Sequence, residues 1–189
     1  VEIPPLTEGQ QTKLTCTAPG LCSGSRPEIT WTWRGKGESN SQITGNITEF
    51  HTKNLSAVTQ RHSSTLTFNL SSEHHGTTIT CEVRFACGTT RKTSQTLNVK
   101  YKRKLQIIGN TTVPKGSDLS LTCSVESFPP AVIMWSKPSA HRTHLLNNTG
   151  SASLVISNAT AEDSGQYTCT ATYLNQKETA QVDVTVTCK

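Results

Sequence analysis

The sequence has little aromatic surface, little charge and no long apolar stretch. Aromatic residues make up 5% of its 189 residues and charged residues 16%, while Ser, Thr and Asn are abundant, as in an all-β surface protein. No apolar run reaches the length of about 18 residues that a membrane-spanning helix needs, so any anchor is expected outside this sequence. No segment has the apolar spacing of an amphipathic helix. The first residues lack the features of a signal peptide, which favours a piece of a longer mature protein.

Recognisable catalytic motifs are also missing. The sequence contains no Gly-x-Ser-x-Gly elbow, phosphate-binding glycine loop, dinucleotide fingerprint or paired catalytic carboxylates. None of its six histidines lies at metal-ligand spacing from a cysteine or carboxylate on a regular element, and His141 and His144 fall in a predicted loop. We therefore expect no enzymatic activity, no cofactor and no metal site. The net charge of +5 is too small an excess to suggest a nucleic-acid partner.

Cysteines and glycosylation motifs indicate an extracellular protein. Seven cysteines favour an oxidising compartment, where thiols pair as disulfides. Six Asn-x-Ser/Thr acceptors in so short a chain are hard to reconcile with the cytosol. The predicted glycosylation sites are Asn46, Asn54, Asn69, Asn110, Asn147 and Asn158.

Two halves of the chain repeat one pattern, a strand ending in Leu-Thr-Cys, then a tryptophan, then a second cysteine on a late strand. This pattern predicts an all-β fold of two tandem immunoglobulin-like β-sandwich domains, with a C2-type domain at residues 1–101 and a C2/I-type domain at residues 102–189. The two cysteines are 65 residues apart in the first copy and 46 in the second. The polar excursion of the first copy, about residues 35–60, is interpreted as loops and a short edge strand.

Apolar residues alternate along the predicted strands, which assigns one face of each strand to a core. In the first domain this alternation turns Trp31, Trp33, Phe68 and Phe85 inward. The segment from Asp163 to Cys169 predicts a tyrosine corner at Tyr167, two residues before the second cysteine. The first copy has Ile79 instead of that tyrosine and His74-His75-Gly76 in the turn.

Particular segments resemble the sialic-acid-binding immunoglobulin-like lectins. In the first domain they are Leu14-Thr15-Cys16 with Cys22 following, Ile29-Thr30-Trp31, His75 to Cys81, and Glu82-Val83-Arg84-Phe85. The second domain is similar to the third domain of such receptors through Leu121 to Ser124, Ser127-Phe128-Pro129-Pro130 and Asp163 to Cys169. The resemblance implies the second and third domains of such a receptor, beneath a variable-type domain whose strand arginine binds sialic acid.

Four cysteines are assigned to bridges between sheets, Cys16–Cys81 and Cys123–Cys169. Because strands B and F of this fold run in the same direction, Cys22 and Cys87 emerge at the same end of the first sandwich, and we favour a bridge between them. The resemblance implies the alternative that Cys22 bridges to a preceding domain. Cys188 is expected to be unpaired within this sequence; its alternation continues the inward face of the last strand, so it could bridge to a following domain or another chain.

Two binding roles remain open. The first is a glycosylated spacer in a lectin-type cell-surface receptor, whose partners are cell-surface glycoproteins or glycans of the parent receptor. The alternative is an adhesion receptor that contacts proteins directly, although glycans near Asn46, Asn54 and Asn69 would obstruct a broad interface on the first domain. Arg84 is a weak ligand candidate, since alternation turns it towards solvent. The basic segment Val99 to Leu105 between the domains is interpreted as solvated, and binding of acidic partners such as sulfated glycans is the alternative.

Overall fold

The computed structural model describes residues 1–19, 26–35, 41–42, 47–54, 60–137 and 146–188. The chain divides into two compact units, Val1–Lys100 (unit 1) and Tyr101–Lys189 (unit 2). The predicted all-β class is confirmed, because the described regular structure is strand apart from two single-turn 3₁₀ helices, Ser72–His74 and Ala161–Asp163. Among the described residues, no helix is long and apolar enough to cross a membrane.

Unit 1 pairs its strands into two larger sheets and a short parallel contact. A three-stranded sheet has the order β2-β6-β5 and a four-stranded sheet the order β4-β3-β7-β8, while β1 pairs in parallel with β9. The strands are β1 (Leu6–Thr7), β2 (Gln11–Pro19), β3 (Glu28–Arg34), β4 (Ser41–Gln42), β5 (Ile47–Asn54), β6 (Gln60–Asn69), β7 (Thr78–Arg84), β8 (Thr90–Thr96) and β9 (Val99–Lys102), whose last two residues fall in unit 2.

Unit 2 repeats this plan. A three-stranded sheet has the order β10-β12-β16 and a five-stranded sheet the order β11-β18-β17-β14-β15, in which β11 and β18 are parallel. The short strand β13 pairs with the end of β9. The strands are β10 (Gln106–Gly109), β11 (Thr112–Pro114), β12 (Leu119–Ser124), β13 (Ser127–Phe128), β14 (Val132–Ser136), β15 (Leu146–Thr149), β16 (Ser151–Ile156), β17 (Gly165–Tyr173) and β18 (Gln176–Thr187).

Each unit has its own core, built from the strand faces that period-two alternation assigned to the interior. In unit 1, Leu14 and Leu66 pair across β2 and β6 and both are almost fully buried, as are Ile79 and Leu97. The Trp31 indole donates to Ser64 Oγ at 3.0 Å, so this large side chain is buried with its polar group satisfied. Burial of the inward faces is thereby confirmed for most of the predicted positions.

In unit 2, Trp135 occupies the position of Trp31 and is fully buried. Its indole donates to the Ala152 carbonyl at 2.9 Å. The Tyr167 hydroxyl donates to the Asp163 carbonyl at 2.9 Å, which confirms the predicted tyrosine corner. Lys137 is also buried and donates to the Glu162 carbonyl at 2.6 Å, with its ammonium 5.1 Å from the centre of the Tyr167 ring.

Three expectations from the sequence differ from the structure. Trp33 is half-buried instead of lying in the core, because it packs at the margin of the sandwich against His74. The excursion of the first copy contains more strand than predicted, since β5 is eight residues long and pairs with β6 along its whole length. Cys188 follows the end of β18 and is exposed, so the inward alternation of that strand stops before it.

Candidate functional site

Arg84, the predicted ligand candidate, ends β7 on the outward face of the four-stranded sheet. Its guanidinium Nε lies 2.8 Å from Glu82 Oε1, and the other oxygen of that carboxylate lies 2.9 Å from Lys92 Nζ. Lys92 is directly opposite Glu82 on β8. The Arg84 side chain remains 64% exposed, whereas that of Glu82 is only 16% exposed. Glu82 therefore holds two cations on this face.

The charges of this cluster stabilise one another. The pKa of Glu82 is lowered by its hydrogen bond to Lys92 and then by its bond to Arg84. The pKa of Arg84 is raised by the same contact with Glu82. A ligand carboxylate would therefore compete with Glu82 for Arg84.

The surface around Arg84 carries charged groups and hydroxyl groups, and Glu28 of β3 lies directly opposite Arg84. β3, β7 and β8 present threonine and serine on this face, and Thr80 Oγ1 lies 2.7 Å from Ser94 Oγ. Among the described residues of these three strands that share the face with Arg84, none is aromatic. Trp31 and Phe85 are buried in the core of unit 1. The face can donate and accept hydrogen bonds but offers no aromatic surface for a sugar ring.

The inter-sheet bridges lie in the two cores. Cys16 is bonded to Cys81 and Cys123 to Cys169, and each pair joins strands of opposite sheets. Cys87 is also disulfide-bonded, while Cys22 lies outside the described residues, so the Cys22–Cys87 pairing stays a prediction.

The predicted glycosylation sites of unit 1 map to one sheet as far as the structure describes them. Asn54 ends β5, and Asn69 ends β6 with an exposed side chain, as the register of that strand requires. Among the described residues, no acceptor lies on a strand of the four-stranded sheet. Asn46 falls outside the described residues.

The acceptors of unit 2 are exposed and lie at strand margins. Asn147 is on β15, at the edge of the five-stranded sheet, and Asn110 directly follows β10. Asn158 follows β16 and has a positive φ of 55°. All three positions leave room for a bulky group on the surface.

His74 and His75 make structural hydrogen bonds in the turn before β7. The sequence showed only that they replace the residues of the tyrosine-corner turn. The Nδ1 of His74 accepts the backbone N–H of Ser71 at 2.9 Å, and the Nδ1 of His75 accepts that of Val99 at 3.2 Å. Burial lowers the pKa of His74, and the nearby Glu73 carboxylate opposes this shift. Adjacent histidines in a turn give no signal from which these partners could be predicted.

The turn before β17 makes equivalent contacts with other side chains. Asp163 Oδ2 accepts the backbone N–H of Thr160 at 2.8 Å, and Ser164 Oγ accepts that of Val186 at 2.9 Å. Both turns therefore secure a 3₁₀ helix and tie it to the last strand of their unit.

No group of histidine, cysteine and acidic residues within the described part of the chain is arranged to hold a metal ion.

The basic segment between the copies is engaged with its surroundings. Lys102 forms an ion pair with Glu178, and this contact lowers the pKa of the Glu178 carboxyl. The Arg103 guanidinium lies 5.4 Å from the centre of the Tyr101 ring. These contacts use part of the positive charge that the sequence places here.

Sequence families match both halves of the chain. The family described as CD80-like C2-set immunoglobulin domain matches residues 1–91, and the family described as immunoglobulin domain matches residues 104–172. The chain is a tandem of two immunoglobulin domains. The first immunoglobulin domain corresponds to unit 1 and the second to unit 2.

Both immunoglobulin domains together resemble the sialic acid-binding lectins, which confirms the resemblance found in the sequence. Sialic acid-binding Ig-like lectin 5 of Homo sapiens is 33% identical over 184 residues, which cover 88% of this chain and 30% of that protein. The chain thus spans about a third of the length of this relative. The human netrin receptor DCC is 35% identical over 85 residues, 43% of this chain and 6% of that receptor.

Solved structures share the fold of the two immunoglobulin domains. The full ectodomain of mouse nectin-like molecule 4 has a TM-score of 0.67 at 22% identity and covers 99% of this chain and 63% of its own. The N-terminal four Ig domains of Dscam1 isoform 1.9 have a TM-score of 0.66 at 20% identity and cover 97% of this chain and 43% of their own.

Proposed function

We propose that these immunoglobulin domains are extracellular spacer domains of a glycosylated cell-surface receptor resembling the sialic acid-binding lectins, and that its recognition site lies outside this sequence. Such a receptor acts in cell–cell recognition or immune signalling, and its partners are cell-surface glycoproteins or glycans. The similarity to a sialic acid-binding lectin over both domains supports this assignment. The exposed acceptors Asn69, Asn110 and Asn147 support a glycosylated surface.

The spacer role is supported mainly by the ion pair that occupies Arg84 and by the lack of aromatic residues beside it on the described strands. A carboxylated sugar needs a charge-assisted, preferably bidentate, hydrogen bond and apolar or aromatic surface for its remaining groups. Arg84 is paired with Glu82, and the strands that share its face supply hydroxyl groups. An exposed arginine that must first leave its own ion pair gains too little to hold a monosaccharide.

The experiment is a calorimetric titration of the two-domain protein with sialosides, with a known sialoside-binding lectin as the positive control for the ligand. We expect no measurable heat of binding, with or without Arg84→Ala. Arg91→Ala, on the neighbouring strand β8, is the matched control for loss of one positive charge. Binding that Arg84→Ala abolishes and Arg91→Ala preserves would refute the spacer role and make unit 1 a lectin domain.

Direct protein adhesion is the second candidate, and the four-stranded sheet of unit 1 is the surface on which it would act. A glycan at the exposed Asn69 would lie on the three-stranded sheet of unit 1, while the described strands of its four-stranded sheet carry no acceptor. The described strands of the four-stranded sheet therefore stay accessible to a partner when Asn69 is glycosylated. The mixed charges of Glu82, Arg84 and Lys92 would set the orientation of such a partner.

Sedimentation of the glycosylated protein tests self-adhesion through this face. Under the adhesion hypothesis the wild-type protein associates, Thr80→Arg on the four-stranded sheet abolishes association, and Thr67→Arg on β6 does not. A monomeric wild-type protein at the highest soluble concentration would exclude self-adhesion and leave only a different protein as the partner.

A further inference from the structure

The turns before β7 and β17 perform one task with different chemistry. In each turn, one side chain accepts the N–H of the residue before the 3₁₀ helix, and the next side chain accepts an N–H of the last strand. Unit 2 uses the carboxylate of Asp163 and the hydroxyl of Ser164, groups that ordinarily do not change charge near neutral pH. Unit 1 uses two imidazoles, the side chain that ordinarily does.

Both hydrogen bonds depend on an unprotonated imidazole nitrogen. An imidazole nitrogen accepts a hydrogen bond only when it carries no proton. Nδ1 of His74 accepts from Ser71 and Nδ1 of His75 accepts from Val99, so each of these bonds requires a ring whose Nδ1 carries no proton. Protonation would place a second N–H against each backbone N–H, and two donors facing one another cannot bond.

We propose that His74 and His75 form an acid-sensitive latch that secures the turn and the last strand of unit 1 at neutral pH and opens in acidified compartments. The latch consists of these two side chains and the backbone N–H groups of Ser71 and Val99. The equivalent contacts of unit 2 stay closed over the same pH range.

Packing around His74 favours its neutral form. Its ring centre lies 5.4 Å from that of Trp33 and 5.2 Å from that of Phe68, so two aromatic rings pack against it, while Ser71 Oγ lies 3.3 Å from its Nδ1. Burial lowers the pKa of His74, and Glu73 opposes this change from the same turn. Glu8 approaches from the β1–β2 connection, where its Oε1 accepts the N–H of Ser72 at 3.3 Å.

The direction of the pH effect follows from the lowered pKa of His74. In the unfolded chain a histidine titrates at about pH 6.5, so below that pH the unfolded form binds more protons than the folded form. The stabilising contribution is fully present above about pH 6.5 and is lost as the pH falls through the lower pKa of the folded state. Acid therefore weakens unit 1 at this turn.

The bond from His75 determines what the latch releases. Val99 is fully buried and begins β9, where it pairs in parallel with Leu6 of β1. When His75 is protonated, the N–H of Val99 loses its acceptor in a buried position, which is costly. Protonation of His75 therefore weakens the start of β9 at Val99, where that strand pairs with β1.

Amide hydrogen exchange of the intact two-domain protein, measured by NMR at about pH 7.4 and about pH 5, tests the proposal without any substitution. Comparison uses protection factors, which correct for the intrinsic pH dependence of exchange. We expect the protection factors of Ser71 and Val99 to fall by about tenfold at the lower pH, the effect of losing one hydrogen bond. Those of Thr160 and Val186 should not change.

A paired substitution gives the second arm. His74→Asp with His75→Ser introduces the side chains of the equivalent turn in unit 2, and the protection of Ser71 and Val99 should then become independent of pH in this range. The proposal is overturned if the wild-type amides of both turns respond alike, or if His74 titrates at or above about pH 6.5 in the folded protein. A variant that fails to fold leaves the wild-type comparison as the deciding measurement.

Discussion

At the scale of the residue, Thr12 is a position where substitution should stabilise the protein. Its hydroxyl is buried opposite Phe68 and has no hydrogen-bond partner in the described part of the chain. Because a buried unpaired polar group costs free energy, Thr12→Val should raise the free energy of unfolding by about 1 kcal/mol. The measurement is the midpoint of denaturant unfolding.

Thr15→Val is the matched control for Thr12→Val on the same strand. The Thr15 hydroxyl lies 3.4 Å from that of Thr65 and is half-buried, so its replacement should change stability by less than about 0.5 kcal/mol. Equal effects of the two substitutions would contradict the argument from the unpaired hydroxyl.

Tyr167 should make the second sandwich sensitive to alkali. Burial raises the pKa of Tyr167 to about 12, and Asp163 adds to the shift. Since an unfolded tyrosine titrates near pH 10, the stabilising contribution is fully present below about pH 10 and is lost as the pH rises through about 12. Tyr167→Phe should remove this alkaline loss and cost about 1 kcal/mol at neutral pH through its lost hydrogen bond.

Denaturant unfolding across the alkaline range measures the effect in unit 2, followed by the fluorescence of Trp135 in a protein that carries Trp31→Phe and Trp33→Phe. Tyr173→Phe is the comparison, because the Tyr173 hydroxyl also donates to a backbone carbonyl, that of Phe128 at 2.8 Å, at a less buried position. A wild-type protein whose stability does not fall between about pH 10 and 12 would contradict the expected role of Tyr167.

Residue alternation predicted burial well within strands and poorly at their margins. Leu14, Leu66 and Tyr167 are buried as predicted. A shift of their strands by one residue would turn all the apolar side chains towards solvent, so the apolar face of such a strand must face the core. Trp33 follows the same alternation but lies where the core ends, and Cys188 lies past its strand. The depth of a position along a sandwich depends on the opposite sheet, which alternation within one strand does not describe.

At the scale of the element, β15 is the edge of the five-stranded sheet among the described strands, and its aggregation behaviour should depend on its glycosylation site. Edge strands present unpaired backbone groups that invite pairing with another chain. A glycan on Asn147 would block that approach, so Asn147→Gln should increase aggregation of protein produced in glycosylating cells. Light scattering after size-exclusion chromatography is the measurement.

The control for Asn147→Gln is Asn69→Gln, at the end of β6. This strand is flanked by β2 and β5 and has no free edge. Loss of its glycan should leave aggregation unchanged, and an equal increase in both variants would show that glycans protect through general solubility instead of through the strand edge.

The sequence predicted the turn before β17 correctly, but it did not predict the contacts of the turn before β7 or the length of β5. The turn before β17 carries a tyrosine and an acidic residue at defined spacing, and its geometry could be predicted. The turn before β7 carries His74 and His75, and the acceptor role of His75 depends on a strand that begins 24 residues later in the sequence. Strand β5 was underestimated because its polar residues lack the apolar alternation of a core strand.

At the scale of the whole molecule, the cysteines should leave one reactive thiol per chain. Cys188 is exposed and free among the described cysteines, and Cys87 is disulfide-bonded. If Cys22 is its partner, a thiol assay of the denatured, unreduced protein should detect one group, and Cys188→Ser should detect none. Three thiols in the wild-type protein would contradict the Cys22–Cys87 prediction.

The repeated Cys–Trp–Cys pattern of the sequence predicted two units. The sequence did not predict the contacts around Arg84. Two copies of the Cys–Trp–Cys pattern specify two cores, since each pattern supplies its own bridge and the tryptophan packed near it. The sequence placed Arg84 on an outward face, but the pairing of Glu82 with Lys92 depends on the register between β7 and β8. That register is a property of the assembled sheet.

The parallel pairing of an early strand with the last strand of each unit has a mechanical consequence. In unit 2, tension on the chain ends pulls β11 and β18 in opposite directions along their length, because the two strands are parallel. The hydrogen bonds between these two strands are then loaded in shear and resist the force together. They do not break one after another. Even after this clamp opens, the Cys123–Cys169 bridge spans a separation of 46 residues and withholds about 150 Å of extension. The chain therefore lengthens under force far less than its residue count implies.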